Sequence, residues 1–136
     1  MSTKRILVVE DDPKIREVLR RFLEADCEVL VADNGQEAVR IAKAMRPGLI
    51  LLDIGLPNLD GLNALRLLKM APETVNIPVV IESAHGESAS LLDAQALGAV
   101  DFLIKPYGVE EVRDMVQRYL VIWNADLGPG TSGGSA

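Results

Sequence analysis

The stretch Leu49-Ile50-Leu51-Leu52-Asp53 decides the fold. Four apolar residues in succession end in a carboxylate, and the loop Ile54-Gly55-Leu56-Pro57-Asn58-Leu59-Asp60-Gly61 follows. A short continuous apolar run bounded by turn residues reads as a strand buried on both faces, as parallel sheets require. Asp53 is then the first residue to emerge at the strand's carboxyl end, where open α/β sheets place their ligand sites. A carboxylate at that spot is a nucleophile, a metal ligand or a helix cap, and the rest of the chain has to choose among these.

Outward from this strand, apolar runs alternate with helical patterns. Arg5 to Val9 is a short apolar run that closes on Glu10, Asp11 and Asp12. Pro13 suits the first turn of a helix and Asp12 the N-cap before it. Ile15, Val18, Leu19, Phe22 and Leu23 then recur at helical spacing. Glu28 to Ala32 reads as a second strand and Asp33-Asn34-Gly35 as a turn and cap. Ala38, Ile41, Ala42 and Met45 form the apolar face of a second helix, which Pro47-Gly48 breaks. Beyond the Asp53 loop, Leu62, Leu65 and Leu68 mark a third helix that Pro72 ends.

Ile77 to Ile81 reads as a fourth strand, closing in Glu82, Ser83 and Ala84. From His85 to Leu97 the apolar residues share no clean face, which predicts a weakly amphipathic fourth helix. A turn at Gly98 leads into a fifth strand ending at Ile104, and Lys105-Pro106 follow. Val109, Val112, Val116, Tyr119, Leu120 and Trp123 stripe a last helix. Five strands alternating with five helices predict an α/β fold, a doubly wound parallel sheet with helices on both faces.

Composition narrows the function classes. The 136 residues fit one domain, with 49% hydrophobic and 25% charged residues, the balance of an ordinary soluble globular chain. A net charge of -6 argues against direct nucleic-acid binding, which needs a basic face. Cys27 is the single cysteine, so no internal disulfide forms and a reducing cytoplasm is the expected location. No apolar stretch approaches the roughly 20 residues of a membrane span, and Met1-Ser2-Thr3-Lys4-Arg5 does not open a signal peptide. The Gly- and Ser-rich end has a linker's composition, so the expected division is a domain over 1–123 and a flexible tail or linker over 124–136. It is either a native tether or an expression scar.

In a parallel sheet all strand ends lie on one edge. Glu10 and Asp11 end the first strand, Asp53 the third, Ser83 the fourth and Lys105 the fifth, so five side chains far apart in sequence converge. Three carboxylates close together repel unless a cation sits among them. Ligation by a few carboxylates and water is the habit of Mg²⁺. A hydroxyl and an ammonium opposite suit the oxygens of a phosphoryl group in transfer. The set reads as a metal-assisted phosphoryl-transfer site with an aspartate acceptor.

Here the chain resembles the receiver domains of two-component response regulators, from Lys4 to about Trp123. The residues that carry the resemblance are the Val8-Val9-Glu10-Asp11-Asp12 corner, the Leu51-to-Gly61 loop, Ser83-Ala84, Gly98-Ala99 and Lys105-Pro106. Asp53 and Ser83 are 30 residues apart and Ser83 and Lys105 are 22 apart, in agreement with that family. The resemblance implies a flavodoxin-like strand order of 2-1-3-4-5. It implies Asp53 as phosphoacceptor, Asp11 as a direct Mg²⁺ ligand, Glu10 as one through water, and the Gly55 carbonyl as a further ligand. Lys105 would pair with Asp53 and the phosphoryl oxygens. Ser83 would move to bond the phosphoryl group, and Phe102 would swing inward behind it. The donor would be a sensor histidine kinase or a histidine phosphotransfer protein, and the output a linked domain or a target protein. The catalysis is confined to the chain's own phosphorylation and dephosphorylation.

Physical logic supports such a switch. Phosphorylation adds about −1.5 to −2 charges to an acidic pocket, which Mg²⁺ and Lys105 offset only if drawn close. Ser83 is a neutral donor that reports whether the phosphoryl group is present. The expected readout is a two-state surface of the fourth helix, fifth strand and fifth helix. Other residues take plainer readings. Asp12 and Asp60 are caps or turn residues, Tyr119 and Trp123 pack the last helix, Cys27 is a small hydrophobe, and Glu82 faces solvent. Lys105-Pro106 is commonly cis in this family. His85 reads as an exposed loop residue, with a sharper alternative that His85 and Gly55 set how fast the aspartyl phosphate hydrolyses. The segment from His85 to Gly98 has no Lys or Arg, which puts in doubt the salt-bridged dimer of winged-helix regulators.

Three other functions fit less well. A haloacid-dehalogenase-type phosphohydrolase needs a second acid two residues past its nucleophile, where this chain has Gly55. A flavin protein of similar topology needs a Ser-, Thr- and Gly-rich phosphate loop where this chain has Glu10-Asp11-Asp12. A degenerate receiver serving only as a docking surface would not be expected to keep the acidic corner, acceptor and lysine together.

Overall fold

The computed structural model describes residues 4–56, 61–84 and 88–122. The apolar runs form strands β1 (Arg5–Val9), β2 (Glu28–Ala32), β3 (Leu49–Asp53), β4 (Val79–Ser83) and β5 (Asp101–Ile104). Between them lie helices α1 (Pro13–Leu23), α2 (Gly35–Met45), α3 (Gly61–Met70), α4 (Ser88–Leu97) and α5 (Val109–Ile122). Every strand pair is parallel and the order is β2-β1-β3-β4-β5, the doubly wound, flavodoxin-like arrangement. β3 is the middle strand, and all five of its residues are buried.

Strand alternation sorts the core into two layers. Leu7, Val9, Ile50, Leu52, Val79 and Ile81 face α2, α3 and α4 through Ala38, Ala42, Leu65, Leu68 and Ala94. Ile6, Val8, Leu49, Leu51, Val80 and Leu103 face α1 and α5 through Leu19, Leu23, Val112, Val116 and Leu120. Each fully buried aliphatic side chain contributes about 1.5–3 kcal/mol relative to an exposed one, so both layers hold the sheet between them, face on.

Local chemistry starts and stops the helices where the sequence suggests. Asp12 caps α1 by accepting from Lys14 N at 2.9 Å, and Asn34 caps α2 by accepting from Glu37 N at 2.9 Å. Arg46, in the left-handed region with φ 47°, ends α2 ahead of Pro47. At the start of α3 a Cβ on Gly61 would stand 2.2 Å from Ile54 Cα and 2.6 Å from the Asp53 carbonyl oxygen. Only glycine lets the helix begin against the exit of β3. Cys27 is half-buried and its thiol is pushed up to about 11, first by burial and then by Asp26, in keeping with a small packing residue.

Four expectations change. β4 runs from Val79 to Ser83, two residues later than the apolar run suggests. Pro78 has no N–H to give a ladder, although its carbonyl accepts from Ile50 N at 3.0 Å. Glu82 is consequently inside a central strand and fully buried, not facing solvent. Val18 and Val109, spaced as core residues, are exposed. In α4, Ala94 is buried while Leu92 is 67% exposed, as its unaligned apolar residues foretell. The readings of Asp60, His85 and Trp123, and the tail over 124–136, lie outside the described residues. Among the described residues no helix is long and apolar enough to cross a membrane.

Candidate phosphoacceptor site

The carboxyl ends of β1, β3, β4 and β5 meet at one edge of the sheet. Glu10 follows β1, and by strand alternation it points to the α1–α5 face together with Asp53 and Glu82. The register places Val9 beside Leu52, Asp53 beside Glu82, and Glu82 beside Leu103. The result is a polar row across the end of the apolar layer, closed by Lys105 just past β5.

Lys105 holds the row together. Its Nζ donates to Asp53 Oδ2 at 2.7 Å and to Glu10 Oε1 at 3.3 Å. The free energy of such an ammonium is divided. Burial of the side chain favours loss of the proton, while the bond to Asp53 and the charges of Asp53 and Glu10 outweigh that and push Lys105 up to about 12. Lys105 is thus a fixed cation at any physiological pH. Asp53, 6% exposed, uses its second oxygen to accept from Gly55 N at 2.9 Å. Both of its oxygens are thereby oriented.

Glu10, 1% exposed, is anchored at both ends. Its Oε2 accepts from Asp12 N at 3.1 Å and its carbonyl accepts from Arg16 Nη1 at 2.9 Å. Burial raises its pKa above the ordinary carboxylate value, against the opposing pull of the Asp12 amide and Lys105. Asp11 is exposed at the rim. Carboxylate oxygens of Glu10, Asp11 and Asp53, one from each, all lie within 4.8 Å of one another. These three carboxylates, two of them bound by Lys105, are an all-oxygen donor set with negative charge in excess, and this fits a hard divalent cation such as Mg²⁺.

Ser83 and Phe102 belong to the opposite face. Ser83 is buried at the end of β4, with its hydroxyl donating to the Ala84 carbonyl at 3.1 Å. Phe102 pairs with Ile81 across the ladder and packs half-buried against the α2–α4 layer. Gly55 is exposed, and among the described residues a Cβ there would meet only Asp53 Oδ1, at 3.4 Å. A side chain at position 55 would therefore overhang the Asp53 carboxylate. Lys105-Pro106 is a cis peptide.

Two residues of the neighbourhood depart from the sequence reading, which has Glu82 face solvent and does not single out Tyr107. Glu82 is fully buried, both carboxyl oxygens are without a hydrogen-bond partner, and burial, aided by the charges of Glu10 and Asp53, pushes it up to about 8. The Tyr107 hydroxyl is its polar neighbour, also buried and outside good hydrogen-bond geometry, and its pKa is raised by burial and by Glu82. The available signal was strand period: Val80, Glu82 and the side chains beside them share one face. Tyr107 also lines a groove of about 560 Å³ between α1 and the start of α5, where Ile15, Val18, Val109 and Val112 give apolar walls next to Lys105.

The response regulator receiver domain model matches residues 6–117. Sporulation initiation phosphotransferase F of Bacillus subtilis is 36% identical over 121 residues, covering 88% of this chain and 96% of that protein. The phosphate regulon transcriptional regulatory protein PhoB of Pseudomonas aeruginosa is 37% identical over 133 residues, or 97% of this chain and 56% of that one. The chain thus spans little more than half of that regulator, and 26% of regulatory protein AtoC of Escherichia coli. Among solved structures, the receiver domain of a sensor histidine kinase from Pseudomonas aeruginosa, with a magnesium ion coordinated in its active-site cleft, superposes with a TM-score of 0.80. It is 29% identical and covers 88% of this chain and 98% of that one.

Proposed function

The chain belongs to the response regulator receiver family, and from that membership we propose that Asp53 is the aspartate that takes the phosphoryl group, with Glu10, Asp11, Lys105 and Ser83 as its site. Receiver domains of two-component systems are phosphorylated on aspartate and work with histidine kinases and output domains. The observation that carries the reading for Asp53 is its contact with Lys105 Nζ at 2.7 Å inside a ring of carboxylate oxygens mutually within 4.8 Å. A structural salt bridge would not gather Glu10 and Asp11 around the same point.

In the transfer, an Asp53 carboxylate oxygen forms a bond to phosphorus as the P–N bond of a phosphohistidine breaks. The departing imidazole keeps the electron pair and takes up a proton. Lys105, already on Asp53 Oδ2, follows the negative charge onto the phosphoryl oxygens, and the Gly55 amide holds the other carboxylate oxygen in line for attack. Glu10, Asp11, Asp53 and the Gly55 carbonyl would hold Mg²⁺, which would supply further charge neutralisation. Attack of water on phosphorus returns Asp53 and inorganic phosphate, so the chain has no external substrate and is no enzyme beyond its own turnover.

The donor is a sensor histidine kinase or histidine phosphotransfer protein, and the apolar groove beside Lys105 supports docking of a donor there. Ser83 turns from the Ala84 carbonyl towards the phosphoryl group, Phe102 follows, and the surface of α4, β5 and α5 is read by a linked domain or a target protein. Leu92, Val100 and Ile104 give that surface exposed apolar area. Residues 1–123 form this receiver and 124–136 a tail, in a chain placed in the cytoplasm with no direct nucleic-acid or membrane contact. Intact mass after incubation with acetyl phosphate and Mg²⁺ tests the reading. One phosphoryl adduct, absent with EDTA and in Asp53→Asn, is expected; an equal adduct in Asp53→Asn overturns it.

A further inference from the structure

Arg16 stands where local chemistry argues against a cation. It lies in the first turn of α1, which has no acidic residue and carries Lys14 as well. Helix N-termini favour negative charge, because the macrodipole and the unpaired amides are positive there. The side chain is also half-buried, and breaks of a local rule collect at functional sites. Asp33 and Glu37 line one cavity with Arg16, but Glu37 pairs with Arg40 at 2.6 Å, and among the described residues Arg16 closes no ion pair. Its short bond goes to a backbone carbonyl instead, from Nη1 to Glu10 O at 2.9 Å.

That carbonyl belongs to the peptide that joins Glu10 to Asp11, two members of the converging carboxylate set. Side chains of a helix lean towards its N-terminus, so Arg16 reaches back over the acidic corner. Two further bonds hold the same turn. Glu10 N donates to Ala32 O at 3.0 Å, and Glu10 Oε2 accepts from Asp12 N at 3.1 Å. The first fixes Glu10 on its β1 side and the second fixes its carboxylate, whereas Arg16 holds the peptide plane on the side of Asp11. Asp11 is exposed beyond the end of β1, so rotation of that plane would carry its carboxylate away from Glu10 and Asp53. Groups that orient metal ligands are felt in metal affinity although they never touch the ion. We propose that Arg16 is a positioning residue of the cation site: it holds the Glu10–Asp11 peptide so that the three carboxylates converge. The proposal rests on the reading of Glu10, Asp11 and Asp53 as a Mg²⁺ site.

Charge and geometry predict opposite signs here, which makes Mg²⁺ affinity the deciding readout. Removing a cation from the neighbourhood of a cation site tightens binding by Coulomb's law, whereas freeing the corner weakens it. Mg²⁺ is titrated by calorimetry into the full chain as wild type, Arg16→Met, Arg16→Lys and Arg20→Gln. Arg20 is the control on the same helix, and it pairs with Glu17 and Glu24. Arg16→Met keeps an apolar stem and should bind Mg²⁺ about tenfold more weakly. The bond to Glu10 O uses one nitrogen, so Arg16→Lys should stay within about threefold of wild type. Arg20→Gln should leave the affinity unchanged. A merely structural role lowers the melting temperature of Arg16→Met and leaves its Mg²⁺ affinity alone. Affinity of Arg16→Met within about twofold of wild type, or tighter, overturns the proposal, as does an equal loss in Arg20→Gln. If Arg16→Met does not fold by circular dichroism, Arg16→Ala, a strong helix former, is read by the same criterion. Wild type that binds no Mg²⁺ would overturn the cation reading of the three carboxylates and the proposal with it.

Discussion

Glu82 and Ser83 are adjacent in β4 and project to opposite faces of the sheet, and the two faces are built differently. On the α1–α5 face, Glu10, Asp53 and Lys105 are fixed by hydrogen bonds of 2.7–3.3 Å over a continuous apolar layer. On the other face, Ser83 and Phe102 adjoin α4, whose Ala94 is buried and whose Leu92 lies 67% exposed. Chemistry that develops charge needs preorganised groups, because each reorientation would add to the barrier. A switch needs an element whose two positions differ by little free energy. One strand presents Glu82 to the hydrogen-bonded row and Ser83 to the face that α4 covers, where the proposed switch would sit.

Removing the Asp53 carboxylate breaks the hydrogen-bonded side outright. Asp53→Asn is expected to lose all phosphoryl incorporation, read by intact mass, while keeping its helical circular dichroism. Removing the cation is the next largest effect. Lys105→Met should lower the rate of phosphorylation by acetyl phosphate by about 10²–10³, followed by the same mass assay over time. It also leaves Glu10 and Asp53 in a buried site without their cation, so the metal-free protein should lose about 2–3 kcal/mol in urea unfolding.

Glu82 gives the hydrogen-bonded side a pH signature. A carboxyl held at about 8 in the fold and near the ordinary carboxylate value of 4.5 when unfolded binds its proton more tightly in the native state. Stability from this group is full below about pH 4.5, falls as pH rises, and levels off above about 8. Glu82→Gln should flatten the pH dependence of stability in that window by a few kcal/mol, measured by urea melts at pH 5 and 8. An unchanged slope would mean that Glu82 ionises freely in the native protein.

The comparison sharpens with hydrogen exchange. Amides of α4 should be protected about tenfold less than those of α1, which is laced by Arg20 to Glu17 and Glu24 and by Arg21 to Glu17. Equal protection would remove the distinction between the faces. The smallest effect is expected at position 55, where a side chain overhangs Asp53 Oδ1. Gly55→Asn should change the dephosphorylation rate by about two- to fivefold by altering the path of the attacking water, seen as the decay of the phosphorylated mass.

Much of this was legible in the sequence because its signals are local. The apolar runs, the caps Asp12 and Asn34 and the breaker Pro47 are decided within a few residues, and strand ends in a parallel sheet meet on one edge by topology. Glu82 was not legible because the apolar run stops at Ile81 while the strand continues. Its pairing with Asp53 and Leu103 comes from the neighbouring strands. Tyr107 was missed for a similar reason, since its partner is 25 residues away. Val18 and Val109 kept helical spacing but face an open groove, a distinction that periodicity alone does not make.

The most direct test is to phosphorylate the protein, reduce it with borohydride, and map the product by peptide mass spectrometry, because borohydride converts an aspartyl phosphate to homoserine. The account predicts homoserine at position 53 in wild type and at no other carboxylate. Reduction at Glu10, Asp11 or Glu82, or a phosphoryl group stable to borohydride, would contradict it.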